Sequence, residues 1–552
     1  MKRSDLFALT AFFFALLLVV PMYAQVEVYN SGGELMPEQA AFDVKFYDLQ
    51  LRVDPSEKAI SGTLRVEAEV LSPLKTFVLQ LDNLLRVEEI YENSREKRSF
   101  RHKDGLLYID LGQEKPAGSN LNISIVYGGK PRVAPNPPWD GGFTWTQTAD
   151  GQPWIATSCQ LIGADVWWPC KDHVSDEPDS MALHIEVPQP LVVASNGVLR
   201  KVEQLPSGNR VYHWNILNPI NIYNVALNIA PYRLIEGSLE SVAGGSFPVM
   251  FYVLPEDFEK GQQLFPEILD HLRFFEALLG PYPFRNEKYG VAQTPHLGME
   301  HQTIIAYGAG FKNTSMTRGN DWGFDALHHH ELSHEWWGNL VTNKDWKDMW
   351  IHEGFGTYMQ ALYVEQLKGT EGYHRYMKSL LGFKNERAVA PKEITSSKDI
   401  YQSPIYAKGA WILHTLRFLV GEEAFFQSLR TMAYPTADAE QRTDGSQVRQ
   451  VDTEDFVKIC EEVSGKELSW FFEVYTYQPK LPTLKHSMLD NQLFLQWESP
   501  VNVPFPMPVE VSVNGQLRTV AVPPGGATVK IRAGDEVVID PSNKILKHLA
   551  KQ

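Results

Sequence analysis

The spacing of apolar residues changes twice along this chain, and this change limits the folds open to it. From about residue 40 to 235, segments such as FDVKFYDLQLRVD alternate apolar and polar residues, as half-buried strands do. From about 255 to 480 apolar residues recur at helical intervals, as in the segment that ends at Gly280. After about 480 the alternation returns, as in NQLFLQWES. The pattern predicts an all-β region, a mostly helical region and a small β-sandwich.

Length and charge narrow the class of protein further. At 552 residues the chain is too long for one hydrophobic core, because such cores stop growing beyond roughly 250–300 residues. The formal charge of −16 repels phosphate backbones, and no dense run of lysine or arginine offsets it. We therefore expect several domains and no nucleic-acid partner. The sequence leaves the oligomeric state open.

The N-terminal segment has the pattern of a signal peptide. A basic start precedes an apolar run from Leu6 to Val20, and a small residue, Ala24, follows at a position suited to cleavage. We interpret residues 1–24 as a signal peptide of an exported protein, periplasmic or secreted, with no membrane contact after its removal. The alternative is an uncleaved membrane anchor, because the run is nearly long enough to span a bilayer.

Cysteines are too few to hold this fold together. Only Cys159, Cys170 and Cys460 are present, an odd and small number for an exported chain of this size. We expect buried thiols, with a bridge between Cys159 and Cys170 as the alternative.

The segment HHHELSHEWWGN contains a metal-binding pattern. His330 and His334 are four residues apart, so on a helix both rings face one ion at about 2 Å. Glu331 lies about 100° round the helix from His330, where it can reach a metal-bound water. Two histidines packed in a core or at a surface are the alternative. We expect His328 and His329 to have no metal role and to face solvent or to support the site from behind.

Glu353 supplies a third ligand at a suitable distance in sequence. Eighteen residues separate it from His334, and it begins a second helical pattern in WIHEGFGTY. Two histidines and one carboxylate leave the fourth tetrahedral position of zinc for water, the arrangement of a catalytic site. The sequence predicts one Zn²⁺ per chain.

The stretch HELSHEWWGNLVTNKDWKDMWIHEGFGTY resembles the gluzincin aminopeptidases of the aminopeptidase N type, which include the leukotriene-epoxide hydrolase. The resemblance joins the metal motif, the eighteen-residue gap, GNLVT and EGF in one register, and it extends over roughly residues 40 to 480. It implies that His330, His334 and Glu353 bind zinc and that Glu331 is the general base.

The same resemblance assigns a substrate site. Residues 297–301 align with the family's Gly-x-Met-Glu-Asn, which implies that Gly298, Met299 and Glu300 bind substrate and that Glu300 holds its free α-ammonium group. Leu297 and His301 depart from the family's glycine and asparagine.

Two further segments complete the predicted site. YQSPIYAKGA resembles the family's Tyr-x-Lys-Gly-Ala, so Tyr406 would donate to the oxyanion, and Tyr401 corresponds to a second tyrosine of the epoxide hydrolase branch. WIATSCQLIGADVWWPC resembles the segment in which a glutamine, here Gln160, contributes to the amine site. We expect Trp167 and Trp168 to pack in the core.

The resemblance also implies the fold. We expect a multidomain α+β protein with an N-terminal all-β domain at residues 25–238 and a thermolysin-like, mostly helical catalytic domain at 239–480. A small C-terminal β-sandwich at 481–552 follows, and no C-terminal helical domain.

The function that the resemblance implies is that of a zinc-dependent aminopeptidase, a hydrolase acting on peptides with a free N-terminus. A thermolysin-like endopeptidase would share the ligands and the base, but the match at Met299 and Glu300 argues against it. Epoxide hydrolysis uses a C-terminal helical domain in the family, whereas residues after 480 have a β pattern. A catalytically inactive binding or scaffold relative would have lost ligands that are intact here.

Overall fold

The chain folds into three successive regions. The computed structural model describes residues 31–393, 397–402 and 404–551, so the predicted signal peptide at residues 1–24 lies outside the described part. Within that part, no helix has the length and apolar character needed to cross a bilayer.

The first region is built from strands. They are β1 (Phe42–Asp54), β2 (Ala59–Val70), β3 (Leu74–Gln80), β4 (Leu85–Glu92), β5 (Glu96–Lys97), β6 (Phe100–Lys103), β7 (Leu106–Lys115), β8 (Asn120–Gly129), β9 (Gly142–Gln147), β10 (Pro153–Ser158), β11 (Ser180–Pro188), β12 (Val192–Ala194), β13 (Val198–Gln204), β14 (Asn209–Ile216) and β15 (Asn228–Ala230), after a short helix α1 (Pro37–Ala40). They form sheets in the orders β13-β14-β11-β1-β2-β8-β4-β5, β12-β15-β10-β9 and β3-β7-β6.

Strand β1 shows how the sequence pattern makes these sheets. Leu49, Leu51 and Val53 face the core and are buried, whereas Gln50 and Arg52 between them are exposed. Successive side chains of a strand point to opposite faces, so this alternation buries one face of the eight-stranded sheet. Trp167 and Trp168 are fully buried, as predicted, and Cys159, Cys170 and Cys460 are free, buried thiols.

The second region combines a five-stranded sheet and a two-stranded sheet with the helices. Its strands are β16 (Arg233–Glu240), β17 (Ser246–Val253), β18 (Tyr289–Gln293), β19 (Gly298–Met299), β20 (Ile305–Tyr307), β21 (Val341–Asn343) and β22 (Arg449–Val451). Its helices are α2 (Phe258–Leu279), α3 (Ala326–Ser333), α4 (Trp350–Ser379), α5 (Ala407–Val420), α6 (Glu422–Ala433), α7 (Ala437–Gln441), α8 (Thr453–Ser464) and α9 (Ser469–Tyr475). Strands β16-β17-β18-β20-β19 form the five-stranded sheet, with β19 at its edge, and β21-β22 form the two-stranded sheet.

The third region returns to strands. They are β23 (Thr483–Leu489), β24 (Gln492–Glu498), β25 (Val509–Val513), β26 (Gln516–Val520), β27 (Ala527–Lys530), β28 (Val537–Ile539) and β29 (His548–Lys551), in sheets ordered β27-β24-β23-β29 and β26-β25-β28. The predicted fold class, β then mostly helical then β, is confirmed. The domain limits stay predictions, and strand β16 lies across the one placed between residues 238 and 239.

Helices α4 and α5 touch through two glycines. A Cβ atom on Gly409 would lie 2.7 Å from Gly354 Cα, and one on Gly354 would lie 2.8 Å from Gly409 Cα. Such distances are shorter than real Cβ contacts, so the two backbones can meet only because both residues lack a side chain. The contact directly follows Glu353 in α4 and lies in the first turn of the helix that Tyr406 precedes. It therefore sets the separation of these two predicted site residues.

We expect Gly409→Ala to destabilise the protein, measured as a lower free energy of unfolding in urea. Overpacking costs about 1–3 kcal/mol, which exceeds the gain of about 0.5–1 kcal/mol that alanine brings to a helix. Gly525→Ala is the matched control, because a Cβ atom at Gly525 would meet no atom within 4 Å. Equal stability of the two variants would show that the helices do not need this contact.

Candidate active site

Helix α3 carries the histidine motif through the protein interior. Each residue from Ala326 to Ser333 is buried. The helix begins where the Asp325 carboxylate accepts a hydrogen bond from the His328 backbone N–H at 3.0 Å. A helix that is buried on all sides belongs to the core of a large protein, so its polar side chains must find partners inside.

Three side chains from α3 and α4 converge at one point. His330 Nε2 lies 3.2 Å from Glu353 Oε2 and 3.2 Å from His334 Nε2, and His334 Nε2 lies 3.6 Å from Glu353 Oε2. Tetrahedral zinc, with ligands at about 2.0–2.1 Å, holds its ligand atoms about 3.3–3.4 Å apart. The three atoms therefore fit one zinc ion.

The surroundings of the His330 and His334 rings favour metal binding. His334 Nδ1 contacts the Trp337 carbonyl oxygen at 2.9 Å, and an N–H donated there leaves the Nε2 lone pair for a metal. Burial lowers the pKa of His330 to about 4, which keeps that ring neutral. A Cβ atom on Gly356 of α4 would lie 3.1 Å from His330 Cε1, so this glycine makes room for the ring. Two imidazole nitrogens and one carboxylate oxygen are a donor set that suits zinc.

Glu331 faces the same cluster from the next position in α3. One oxygen of Glu331, one of Glu300 and one ring nitrogen of His334 lie within 4.8 Å of one another. A Cβ atom on Gly298 of β19 would overlap the Glu331 carboxylate, so glycine is needed there. Burial, and then the charges of Glu300 and Glu353, raise the pKa of Glu331 well above its usual range. A carboxyl group with a raised pKa suits a proton acceptor.

Glu300 is held by hydrogen bonds from both regions. Its Oε1 accepts from the Tyr223 hydroxyl at 2.9 Å and from Gln160 Nε2, both in the first region. Its backbone carbonyl accepts from Asn339 Nδ2 at 3.0 Å. Burial raises the pKa of Glu300, and the charge of Glu353 adds to that shift. The position of this carboxylate is thus fixed independently of the histidines.

The loop after Glu300 is tied to the first region. The Thr303 backbone N–H donates to Glu335 Oε1 at 2.8 Å. Lys288 Nζ donates to the Thr303 carbonyl at 2.9 Å and to the Ser195 carbonyl of the first region at 3.0 Å. These bonds keep Glu300 beside the cluster.

Tyr406 closes the other side of the site. Its ring stacks on His330, with ring centroids 5.9 Å apart. Burial raises the pKa of Glu353, and hydrogen bonds from Tyr406 and Gln160 oppose that shift. The Tyr406 hydroxyl therefore lies beside the predicted ligands.

One cavity, with a volume of about 40 Å³, brings all the predicted site residues together. It is lined by Gln160, Gly298, Met299, Glu300, His330, Glu331, His334, Glu353 and Tyr406, and also by Pro138, Trp139, Leu297 and Met316. Their individual roles stay predictions.

The two departures from the family pattern have different surroundings. Leu297 is half-buried and lines the cavity. His301 is buried, and neither ring nitrogen has a hydrogen-bond partner among the described residues. Burial lowers the pKa of His301 to about 3, so it packs as a neutral ring. The Tyr401 side chain lies outside the described part.

The sequence predicted that His328 and His329 either face solvent or support the site from behind. The first of these alternatives is wrong. Both are fully buried. His328 contacts His271, with the two Nδ1 atoms 2.8 Å apart, and its Nε2 lies 2.9 Å from the Tyr289 hydroxyl. His329 packs against aromatic rings, among them Phe275 at 4.7 Å between centroids. Both histidines are core residues, because α3 has no solvent-facing side.

Sequence reasoning did not identify Tyr223 and Asn339 as site residues. Asn339 belongs to the GNLVT segment, which is part of the family resemblance, and this was the one sequence signal that could have identified it. Tyr223 lies in a 3₁₀ turn, Ile222–Asn224, with no motif around it.

The chain matches two family models. The Peptidase M1 N-terminal domain matches residues 44–223, and the Peptidase family M1 domain matches residues 274–475. Together they include every residue that lines the cavity.

Curated relatives and solved structures are consistent with these matches. Aminopeptidase M1-B of Oryza sativa subsp. japonica is 24% identical over 484 residues, which are 82% of this chain and 51% of the relative. Aminopeptidase N of Lactococcus lactis subsp. lactis is 29% identical over 202 residues, 31% of this chain and 22% of the relative. The chain spans about half the length of the plant relative.

Two solved structures share the fold. A mutant M1 zinc metallopeptidase from Deinococcus radiodurans, bound to a Tyr-Ser-Ala substrate, has a TM-score of 0.64 at 24% identity, over 80% of this chain and 95% of that one. Aminopeptidase A of Legionella pneumophila, in complex with aspartic acid, has a TM-score of 0.75 at 20% identity, over 93% of this chain and 60% of that one.

Because both family models match, the chain belongs to peptidase family M1 and carries both the N-terminal domain and the peptidase domain of that family.

Proposed function

We propose that this protein is a zinc-dependent aminopeptidase that removes N-terminal residues from peptides with a free N-terminus. One observation carries the proposal: an oxygen of Glu300 lies within 4.8 Å of a ring nitrogen of His334. In a peptide the α-nitrogen and the first carbonyl carbon are about 2.5 Å apart. An ammonium group paired with Glu300 therefore brings the first carbonyl, and no later one, to the metal ligands.

Similar proteins support the proposal that the substrates are peptides. The curated relatives are named aminopeptidases, and the Deinococcus structure holds a tripeptide.

His330, His334 and Glu353 would hold the zinc ion. When bound, zinc acts as a Lewis acid and lowers the pKa of a coordinated water to about 7. All three ligand side chains are buried, which strengthens their interaction with a cation.

The surrounding side chains move protons and stabilise charge. Glu331 accepts a proton from the attacking water and passes it to the leaving amine. The Tyr406 hydroxyl donates a hydrogen bond to the negative charge that develops on the carbonyl oxygen. Gln160 and Tyr223 hold Glu300 in place for the substrate ammonium group.

Export is also part of the proposal. The basic start and the apolar run within residues 1–24 support a signal peptide, and hence a periplasmic or secreted enzyme.

Zinc binding can be measured without activity. We expect the metal-free protein to bind one zinc ion per chain and to unfold at a higher temperature with zinc, because the ligand binds only the folded state. His334→Ala removes one of three ligands and should lose both effects in calorimetry and thermal unfolding. His548→Ala, at an exposed position of β29, is the control. Unchanged zinc affinity in His334→Ala would refute this ligand set.

The general base is tested by Glu331→Gln, which keeps the shape of the side chain but cannot accept the proton. We expect kcat for aminoacyl amides to fall about 10²–10⁴-fold, with the zinc content unchanged. Glu371→Gln, at an exposed position of α4, should retain the parent's kcat. Parent-like turnover by Glu331→Gln would remove Glu331 from the mechanism.

The amine site is tested with matched substrates. We expect hydrolysis of aminoacyl fluorogenic amides and none of their N-acetylated forms, because acetylation removes the charge that pairs with Glu300. Glu300→Gln should lower kcat/KM for the free amine about 30-fold, equivalent to about 2 kcal/mol for a lost charge pair.

Other outcomes of this assay point to the alternatives. Cleavage of the acetylated forms would favour a thermolysin-like endopeptidase. Cleavage of neither form by the zinc-loaded protein would favour a catalytically inactive relative.

A further inference from the structure

The buried part of the cavity is lined mainly by polar groups. Buried polar groups take up its base, including Glu300 and the metal ligands. Under the proposed function these groups hold the substrate's ammonium group and first carbonyl. The exposed mouth of the cavity is then left for the side chain of the first substrate residue.

Two exposed apolar side chains lie at that mouth. Trp139 is 47% exposed and Met316 is 40% exposed, and both line the cavity. Trp139 comes from the loop at residues 130–141 in the first region, and Met316 from the loop at residues 308–325 before α3. Single exposed apolar residues are common, but two from separate regions at the mouth of one cavity form a binding surface.

Both loops are braced by hydrogen bonds. Beside Trp139, Arg132 donates from Nη2 to Asp140 Oδ1 at 2.7 Å and from Nε to the Gly141 carbonyl at 3.1 Å. Beside Met316, the Thr317 hydroxyl donates to the Thr314 carbonyl at 2.9 Å. The two apolar side chains are therefore presented by ordered backbones, which lowers the entropy lost on binding.

The charge of the lining limits what can bind. Glu300, Glu331 and Glu353 line the cavity, and no lysine or arginine of the described residues does. An acidic first residue would be repelled by these carboxylates and would find no lysine or arginine side chain to pair with. Pro138 and Leu297 extend the apolar surface beside Trp139 and Met316.

We propose that the side chain of the first substrate residue lies between Trp139 and Met316, and that this contact selects substrates with a large apolar N-terminal residue. The thioether of Met316 and the indole of Trp139 provide a polarisable surface for a leucine or phenylalanine side chain. The inference rests on the proposed aminopeptidase function, since it names the substrate class of the same site.

The test measures kcat/KM of the zinc-loaded protein for amides of alanine, leucine, phenylalanine, lysine and aspartate. We expect kcat/KM for the leucine and phenylalanine amides to exceed that for the alanine amide by about 10-fold or more, the usual effect of added methylenes in an apolar site. The aspartate amide should have the lowest kcat/KM. Trp139→Ala and Met316→Ala should each reduce the leucine-to-alanine ratio several-fold, and Trp139→Phe should retain most of it.

Phe494→Ala and Met488→Ala are the matched controls. Both residues are exposed apolar side chains of the third region that do not line the cavity, so their variants should retain the parent's ratio. A parent that prefers alanine, lysine or aspartate would overturn the inference, as would a leucine-to-alanine ratio unchanged in both Trp139→Ala and Met316→Ala. In each of these cases hydrolysis still occurs, so the proposed function stands. Absence of hydrolysis of every amide would instead overturn the proposed function.

Discussion

Mutual repulsion among three buried carboxylates is the constraint on which this site depends. Glu300, Glu331 and Glu353 line one small cavity, and burial raises the pKa of each. No lysine or arginine side chain in the described part of the chain lines that cavity to offset them. Such a cluster is unfavourable until positive charge arrives. Under the proposed function a divalent ion and a substrate ammonium group would supply it at two points, so the repulsion that costs stability would also select for cationic ligands.

The close approach of backbones keeps these carboxylates in register. Gly354 and Gly409 let α4 and α5 touch, Gly356 makes room for a metal ligand, and Gly298 makes room for the predicted base. A side chain at Gly298 or Gly356 would crowd a predicted site residue, and one at Gly354 or Gly409 would push the two helices apart. The positions of the charged groups therefore depend on where side chains are absent as well as on where they are present. This explains how six titratable side chains can line one small cavity.

The sequence predicted the fold and the three candidate metal ligands that the structure brings together, but only part of the hydrogen bonding around them. His330 and His334 could be found because residues four apart share one face of a helix, and Glu353 because it begins a second helical pattern. Tyr223 could not, because it reaches its partner through a contact between distant parts of the chain, and no local pattern records such a contact. Exposure of His328 was predicted wrongly, because polar residues in a helix usually face solvent, whereas every residue of α3 is buried.

The cavity draws on two parts of the chain with different kinds of structure. The groups assigned to bond breaking lie in the helical region, whereas Gln160 and Trp139, which line the cavity, and Tyr223, which donates a hydrogen bond to Glu300, come from the β region. Substitutions in β-region loops can therefore alter the proposed substrate preference while every proposed catalytic residue stays in place. Relatives that share those catalytic residues can diverge in specificity through a region that contributes none of them.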